Sequence, residues 1–586
     1  MNRLANIAVL YLSVVLVLTG CRSATSMQNG SIRVQAQEDA LQIYYRGDKV
    51  QEVAFDGGKL NAVEKLPDVH ERYTMRTGKR QLCSNDAKAR LYHYDNFDLE
   101  VRTYPDGVAF RYLNTRRYPQ TAYLVEDGKV RWMQRMKNGI DYEGFFPRRT
   151  ESANGNVAYP ALVEYGNGVF GLITEAGLEQ THCASCLKEQ QGSNRYEVFH
   201  PEAELHSDAT PWRVVHVGRL ADIVESTLVA DLSAPCALSD TSWIEPGLSA
   251  WIYWANNHGS KDFRIVKEYI DLAAEMHWPY NLIDCEWDEM AHGGNMQDAL
   301  AYAKSKGVKV TLWYNSGTSW IGPGSPGPID RLITPEARRK EFAMLEELGV
   351  SGIKVDFFRD DSREMILYYI DILRDAAQHH LLVDFHGCTI PRGWQRTYPN
   401  MVSMEAVYGA EWYNNGPTMT QAAPSHNATL PFTRNVVGPM DYTPCAFTNS
   451  QHPHITTSAH ELALPVLFES GIQHMADRPA GFLGLPTEVR ALLSDLPAAW
   501  DDTRYVDGYP GESVVLARRK GAKWYVAGIN GTNQKKTLSL DLPFHAKQYT
   551  LYCDGMDGTT IQVSHGKALP RAIDCLPVGG FVLVAE

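Results

Sequence analysis

The sequence predicts three folded parts in a row: an N-terminal antiparallel β-sandwich, a central (β/α)8 TIM barrel and a C-terminal β-sandwich. Short alternating segments fill the chain up to residue 245, apolar strand-like runs alternate with helical patterns over 246–502, and short alternating segments return over 503–586. A length of 586 residues suits three or four domains. We therefore divide the chain into a leader (1–20), a first sandwich (21–245), a barrel (246–502) and a last sandwich (503–586).

The first 20 residues form a targeting segment. Arg3 gives it a positive start, an apolar run follows over 7–19, and the run ends in Leu18-Thr19-Gly20-Cys21. This ending resembles the lipobox of bacterial lipoproteins, which implies cleavage before Cys21 and a lipid on the new N-terminus. The alternative is an ordinary signal peptide with an incidental cysteine. No acidic run follows Cys21, so we expect a periplasmic protein that is anchored to a membrane through Cys21.

The first sandwich is predicted from strands of period two separated by turn residues. The clearest segments are 31–35, 41–45, 97–104, 107–113 and 168–174. The last sandwich is predicted in the same way, from segments 513–518, 524–530, 537–542, 549–552 and 581–585.

The barrel is predicted from eight strand-like runs within about 255 residues, at 248–254, 280–288, 308–315, 352–358, 381–387, 401–407, 436–442 and 472–476. Helical patterns separate most of them, at 263–276, 296–305, 335–348, 363–378, 458–468 and 486–500. Such alternation indicates a parallel sheet, and eight units of this length favour a barrel. An open doubly wound sheet is the alternative, but no glycine-rich phosphate turn follows the first strand.

Composition excludes some functions. The net charge is −13, from 56 basic and 69 acidic residues, and an acidic chain without basic clusters is a poor nucleic-acid binder. Aromatic residues make up 10% of the chain, which suits binding to the flat faces of sugar rings but also suits large aromatic cores.

Cys183 and Cys186 have metal-type spacing without a second pair, so two thiols or a local disulfide are expected rather than zinc.

Ionisable side chains gather where the predicted barrel strands end. Period two places Lys354 and Asp356 on the same side of one strand, and Asp384 and His386 on the same side of the next. Further polar residues end the other strands: Asp284, Glu286, Asp288, Thr311, Trp313, Asn315, Ser403 and Glu405, with Glu411 in the following loop. Barrel enzymes carry catalytic groups at these ends. Glycoside hydrolysis needs two carboxylates that flank one bond, so this set indicates a sugar-processing site. The alternative for Asp356 is a buried ion pair with Lys354.

Four barrel segments and one in the first domain carry a family resemblance: Gly-Ile-Lys-Val-Asp-Phe at 352–357, Val-Asp-Phe-His-Gly at 383–387, Glu-x5-Glu at 405–411, Gly-Pro-Met-Asp-Tyr-Thr-Pro at 438–444 and Leu-Ile-Thr-Glu-Ala at 172–176. They resemble glycoside hydrolase family 97 over nearly the whole mature chain. After Thr-Glu-Ala, residues 177–180 depart from the family pattern.

The resemblance implies the roles of individual residues. Retaining members of the family carry an Asp at the end of strand four, whereas inverting members carry a base Glu at the end of strand five. This chain has Asp356 and His386 at these two places, so the resemblance implies a retaining enzyme with Asp356 as nucleophile and Glu411 as acid/base. Lys354 and His386 are expected to contact the sugar. The family's calcium ion is expected on Glu175, Glu405 and Glu411. A bound cation lowers the pKa of a carboxyl whereas a general acid needs it raised, so we expect Glu411 to bind through one oxygen and keep the other for the proton.

The predicted function is an exo-acting retaining α-galactosidase that acts on oligosaccharides. A β-L-arabinopyranosidase of the same branch is the first alternative, because that sugar matches galactose without its C6 group, and an inverting α-glucosidase is the second. A non-catalytic sugar-binding lipoprotein is the alternative from another class; it would have no need for both Asp356 and Glu411. The sequence predicts no oligomeric state.

Overall fold

The computed structural model describes residues 16–17, 25–136 and 142–586. The rest of the predicted leader and Cys21 lie outside the described residues. The predicted order of sandwich, barrel and sandwich is confirmed. Within the described part of the chain, no helix is long and apolar enough to cross a membrane.

The first domain is two antiparallel sheets packed around a common core. One sheet contains, in spatial order, Leu16–Val17, Leu60–Lys65, Leu82–Tyr94, Asp98–Thr103, Gly107–Leu113, Trp212–Gly218, Val169–Ala176, Ala161–Gly166, Val130–Trp132 and Arg148–Arg149, with Val69–Thr74 beside Leu82–Tyr94. The other contains Gly155–Val157, Cys186–Glu189, Arg195–Phe199, Thr121–Leu124, Asp48–Phe55, Ala40–Tyr45, Ile32–Ala36 and Ser26–Asn29. Burial alternates along Ile32–Ala36, as period two requires for a strand with one face in the core.

The barrel consists of seven parallel strands, which we number in chain order: β1 (Gly247–Trp251), β2 (Tyr280–Ile283), β3 (Lys309–Asn315), β4 (Gly352–Asp356), β5 (Leu382–Phe385), β6 (Met401–Met404) and β7 (Ile472–Met475). Strands β1 to β6 pair in sequence order, and β1 also pairs with β7, so that β6 and β7 form the two edges of the sheet. Most of their residues are buried, which is typical of parallel sheets covered by helices.

The predicted strand at 436–442 is wrong. Its start is a single 3-10 turn, Arg434–Val436, and the rest has no ladder. Gly438 has φ +152°, and Pro439 has no N–H to donate. The segment nevertheless occupies the gap between β6 and β7, because Asp441 N donates to Met404 O (3.1 Å) and Met440 N donates to Glu469 O (2.9 Å).

Helices cover the strands, and side-chain caps define several of their starts. Ser362 accepts from Met365 N at the start of Arg363–Gln378, and Thr334 accepts from Ala337 N before Pro335–Leu348. The other α-helices are Leu220–Val224, Leu228–Asp231, Phe263–Glu275, Met296–Lys306, Thr318–Ile321, Trp394–Thr397, Pro417–Asn427, Ser458–Leu467, Pro479–Leu483 and Thr487–Ser494. Further 3-10 turns are Gly259–Lys261, Trp287–Glu289, Ala410–Asn414 and Leu430–Phe432.

The last domain is a six-stranded antiparallel sheet faced by a two-stranded one. The larger sheet contains Asp502–Tyr509, Ser513–Lys520, Lys523–Asn530, Gly580–Ala585, Tyr549–Asp554 and Ile561–Gly566, and the smaller one Lys536–Ser539 and Ala572–Cys575. Val515, Phe581 and Leu538 belong to the core between them. The larger sheet also packs against the barrel helix Ser458–Leu467.

Candidate active site

The mouth of the barrel is formed by the carboxyl ends of its strands, where Asp356 ends β4. Trp313 Nε1 donates to Asp356 Oδ2 (3.1 Å), and the backbone N of Phe357 donates to Oδ1 (2.8 Å). Burial raises the pKa of Asp356, although the charges of Lys354 and His386 oppose the shift. The two donors favour the ionised form, which a nucleophile requires.

Close packing around Asp356 requires glycine at position 387. Gly387 has φ +46°, and a Cβ there would lie 2.8 Å from Phe357 N and 2.9 Å from Asp356 Oδ1. Any side chain would therefore displace the Asp356 carboxylate.

Glu411 lies in the 3-10 turn Ala410–Asn414 after β6. Its backbone N donates to Thr443 Oγ1 (3.1 Å), which fixes the turn against the segment that fills the barrel gap. Its Oε2 is buried and has no hydrogen-bond partner among the described residues. Burial raises the pKa of Glu411 to about 8, with a further increase from the negative charge of Glu405 and an opposing effect of Lys354. A carboxyl that keeps its proton near neutral pH is what a general acid requires.

Lys354 points into the mouth from β4 and is buried. Its Nζ lies 3.3 Å from Asp284 Oδ2 and 5.1 Å from the centre of the Trp251 ring. Burial alone would lower the pKa of Lys354, but Asp284 and the other acidic groups raise it well above its ordinary value. The alternative expected for Asp356, an ion pair with Lys354, is not formed, because Lys354 pairs with Asp284 instead.

His386 lies among carboxylates from several strands. Its Nε2 lies 2.7 Å from Asp441 Oδ2 and its Nδ1 lies 3.4 Å from Glu405 Oε2 and 3.9 Å from Glu411 Oε2. Although burial opposes it, Glu405 and Asp384 raise the pKa of His386 well above its ordinary value. The surrounding carboxylates therefore favour the protonated form of His386.

Within the described part of the chain, two groups have a geometry that could hold a metal ion. One is His386 with Glu405 and Glu411; the other is Asp384, His386, Asp441 and His474. In the second group His474 Nδ1 and His386 Nε2 lie only 2.6 and 2.7 Å from the same Asp441 oxygen. Two ligands of a tetrahedral zinc are about 3.3 Å apart with bonds of about 2.0 Å, so these contacts are hydrogen bonds.

Glu175, predicted as a metal ligand, is not in either group of described residues that could hold a metal ion. Arg392 Nε donates to Glu175 Oε1 (2.8 Å), and Arg213 Nη1 donates to Oε2 (2.6 Å). The hydroxyl of Ser185 also donates to Oε2 (2.6 Å). Its buried carboxylate is thus already paired with two guanidinium groups, which disfavours a metal ion there.

Several polar residues near the barrel mouth, for which the sequence predicts no role, hold other side chains or loops in place. Asp284 holds Lys354, and Trp313 holds Asp356. The Arg434 side chain donates to the carbonyls of Met404, Glu405, Ala406, Gly438 and Pro439, which fixes the loop before Glu411. Glu286 pairs with His258 and Lys261, and Asp288 with Arg331.

Cys183 and Cys186 are both free thiols.

One acidic residue of the site was not predicted. Glu143, in the first domain, accepts a hydrogen bond from Trp412 Nε1 (2.6 Å) beside Glu411. Burial and the charges of Glu405 and Glu411 raise the pKa of Glu143 well above its ordinary value. The only signal in the sequence is that Glu143 lies among Tyr142, Phe145 and Phe146, an aromatic neighbourhood unusual for an exposed loop.

Comparisons with known proteins show the family of the chain. The family models for the glycoside hydrolase 97 N-terminal part, the glycoside hydrolase 97 family itself and its C-terminal, oligomerisation part match residues 31–235, 244–407 and 499–584. A probable retaining alpha-galactosidase of Streptomyces bingchenggensis is 34% identical over 551 residues, which cover 88% of this chain and 82% of that protein.

Two further relatives cover most of the chain. A retaining alpha-galactosidase of Bacteroides thetaiotaomicron is 29% identical over 537 residues, covering 79% of this chain and 78% of that protein. The crystal structure of a beta-arabinopyranosidase superposes with a TM-score of 0.87 at 28% identity, covering 94% of this chain and 98% of that one. The chain therefore belongs to glycoside hydrolase family 97 and is a glycosidase.

Proposed function

We propose that this chain is an exo-acting retaining α-galactosidase that works by double displacement through Asp356. The observation that carries the proposal is the contrast between two carboxyls. Asp356 accepts from Trp313 and from the Phe357 backbone, whereas Glu411 has a buried oxygen without a hydrogen-bond partner among the described residues and a pKa raised to about 8. One group suits attack on carbon, and the other suits donation of a proton.

In the first step an Asp356 oxygen attacks the anomeric carbon, the bond to the leaving oxygen breaks, and Glu411 gives its proton to that oxygen. In the second step Glu411, now a carboxylate, takes a proton from water. That water attacks the same carbon and the bond to Asp356 breaks. Two inversions give a product with retained configuration.

Lys354 and His386 are the proposed sugar contacts. Both are buried side chains with N–H donors, and Asp284 and Asp441 respectively hold them in place. Donors held in this way hydrogen-bond sugar hydroxyls without first being ordered by the substrate. The inverting alternative is disfavoured because position 386 is His and Asp356 stands at the end of β4.

Two sugars are candidates for the group that the enzyme removes. Two curated relatives are named retaining alpha-galactosidases, which supports α-galactosides. The crystal structure at 28% identity is of a beta-arabinopyranosidase, which supports β-L-arabinopyranosides as the second candidate. The test is a panel of nitrophenyl glycosides: α-galactoside, α-glucoside and β-L-arabinopyranoside. We expect the α-galactoside to give the highest kcat/KM; a preference for the α-glucoside, or no hydrolysis at all, would contradict the proposal.

We also propose a calcium ion on Glu405 and Glu411. The carboxyl groups of Glu405 and Glu411 both lie beside His386 Nδ1, and hard carboxylate oxygens suit calcium. Two carboxylates alone are few for an ion that takes 6–8 oxygens, so waters or substrate hydroxyls would complete the shell. When bound, the ion would supply positive charge beside the leaving group.

Two further proposals concern the whole protein. We propose that Cys21 carries a lipid and anchors the protein to a membrane in the periplasm. Partitioning into the detergent phase that is lost in Cys21→Ala would support this, and equal partitioning of the wild-type and variant proteins would contradict it.

We also propose self-association through the last domain, because the family match over 499–584 is described as an oligomerisation part. Light scattering of the purified protein tests it.

A further inference from the structure

A short stretch of the first domain, Tyr142 to Phe146, reaches the mouth of the barrel. The Tyr142 hydroxyl donates to Asp361 Oδ2 (2.5 Å) and accepts from Arg392 Nη2 (3.2 Å), and both partners belong to the barrel. Arg392 is itself held by Glu175 (2.8 Å). Buried groups on both sides thus fix this stretch, which we call the mouth segment, at the edge of the active site.

Aromatic rings from the mouth segment and the catalytic loop meet beside Glu411. The Phe145 ring lies edge-on to Tyr408, with ring centres 4.8 Å apart, and Tyr408 lies 4.7 Å from Trp412. All three side chains are half-buried, so each keeps some surface exposed to solvent. Trp412 Nε1 donates to Glu143 Oε2 (2.6 Å), which adds a carboxyl group to the aromatic surface.

This surface lies on the leaving-group side of the reaction. The general acid must contact the glycosidic oxygen, so the sugar attached to that oxygen lies next to Glu411. Tyr408 and Trp412 flank Glu411 in the same loop. Aromatic faces offer a sugar ring an apolar contact, and a carboxyl group hydrogen-bonds its hydroxyls.

We propose that Glu143, Phe145, Tyr408 and Trp412 form the binding site for the sugar that leaves, and that this site takes a neutral pyranose. The proposal rests on the proposed function, because it needs Glu411 to be the acid. Several acidic groups surround the surface, so a uronic acid would be repelled.

The same site predicts transfer to sugars. A neutral sugar bound there can replace water in the second step: its hydroxyl attacks the anomeric carbon, its proton goes to the Glu411 carboxylate, and the bond to Asp356 breaks. The product is a new glycoside of retained configuration.

The test compares two substrates that differ only in the leaving group. α-Galactosyl fluoride releases fluoride, which uses no sugar site, whereas an α-galactosyl-(1→6)-glucose disaccharide releases glucose. We expect Phe145→Leu and Glu143→Gln to lower kcat/KM for the disaccharide by about tenfold or more, and for the fluoride by less than about threefold. Phe199→Leu, at an exposed ring of the first domain, is the matched control and should change neither.

A second readout is the yield of transfer product from the fluoride with added glucose, which should fall relative to fluoride release in both mouth-segment variants. Equal losses on both substrates would make these residues merely structural, and no loss on either would remove them from the site; both results overturn the proposal. A wild-type enzyme inactive on both galactosyl substrates would instead contradict the proposed sugar. The losses of kcat/KM on the two kinds of substrate are then compared with the fluoride and the disaccharide of the sugar that the enzyme accepts.

Discussion

Arg392, in the loop after β5 of the barrel, donates from Nε to Glu175 Oε1 of the first domain across 2.8 Å, and both side chains are fully buried. Arg213 holds the other Glu175 oxygen at 2.6 Å. This carboxylate therefore balances two buried cations and joins two domains. These partners give Glu175 a structural role between the two domains.

Removing that carboxylate should destabilise the protein without changing its affinity for calcium. Glu175→Gln leaves two buried guanidinium groups without a counter-charge, and breaking a buried pair in this way costs about 3–5 kcal/mol. Urea unfolding measures the loss, and calorimetric titration measures calcium binding. Glu197→Gln, at an exposed position of the same domain, should stay within about 0.5 kcal/mol of wild type. A stable Glu175→Gln protein that no longer binds calcium would restore Glu175 as a ligand.

Part of the barrel site could be predicted because the alternation of residues along a strand determines which side chains share a face. Alternation in the strand at 352–358 placed Lys354 and Asp356 on one side, and the structure directs both into the mouth. Pairing between distant residues has no such local signal: Glu175 and Arg392 are 217 positions apart. Glu143 likewise comes from another domain, so neither strand periodicity nor barrel topology could bring it to Glu411.

The missing strand shows a different limit. Residues 436–442 are apolar enough to suggest a strand, and they are buried as a barrel strand would be. Backbone geometry at Gly438 and the absent N–H of Pro439 prevent a ladder. Hydropathy alone reports burial, and it does not distinguish a strand from a buried extended loop.

Removing calcium should lower activity. Chelation is expected to reduce kcat/KM, and calcium should restore it better than magnesium, which demands a tighter octahedral shell. Glu405→Gln should weaken calcium binding by at least about tenfold, because it removes one of two proposed charged ligands. Glu286→Gln is the control, since that carboxylate pairs with His258 and Lys261 instead. Full activity in chelated protein that takes up no calcium would rule the ion out.

The pH dependence should report the proton of Glu411. Its pKa is raised to about 8, and the protonated form is the active one, so kcat/KM for a disaccharide should be level from this pKa down to the pKa of Asp356, which must be ionised to act as the nucleophile. Above it, kcat/KM should fall about tenfold per pH unit. Bound calcium lowers the pKa of a ligating carboxyl, so the fall should move to lower pH as calcium is added. In Glu411→Gln the remaining slow reaction should lack this limb; a limb that persists there belongs to another group.

Separate replacements of Asp356 and Glu411 should distinguish nucleophile from acid/base. Asp356→Ala removes the covalent route, so it should lose activity on every substrate by several orders of magnitude. Azide fits the vacated space and should restore some turnover. Only one displacement then occurs, and the glycosyl azide should have inverted configuration.

Glu411→Ala should behave differently, because only protonation of the leaving group and activation of water are lost. General acid catalysis contributes about 10²–10⁴-fold, so the loss should reach that range on a disaccharide and be much smaller on an aryl glycoside whose leaving group needs little protonation. Azide should speed release of the glycosyl-enzyme and give a glycosyl azide of retained configuration, read by NMR of the product. If Glu411→Ala loses as much on good leaving groups as on poor ones, the acid is another carboxyl of the mouth, and Glu405 and Asp441 are the next to replace.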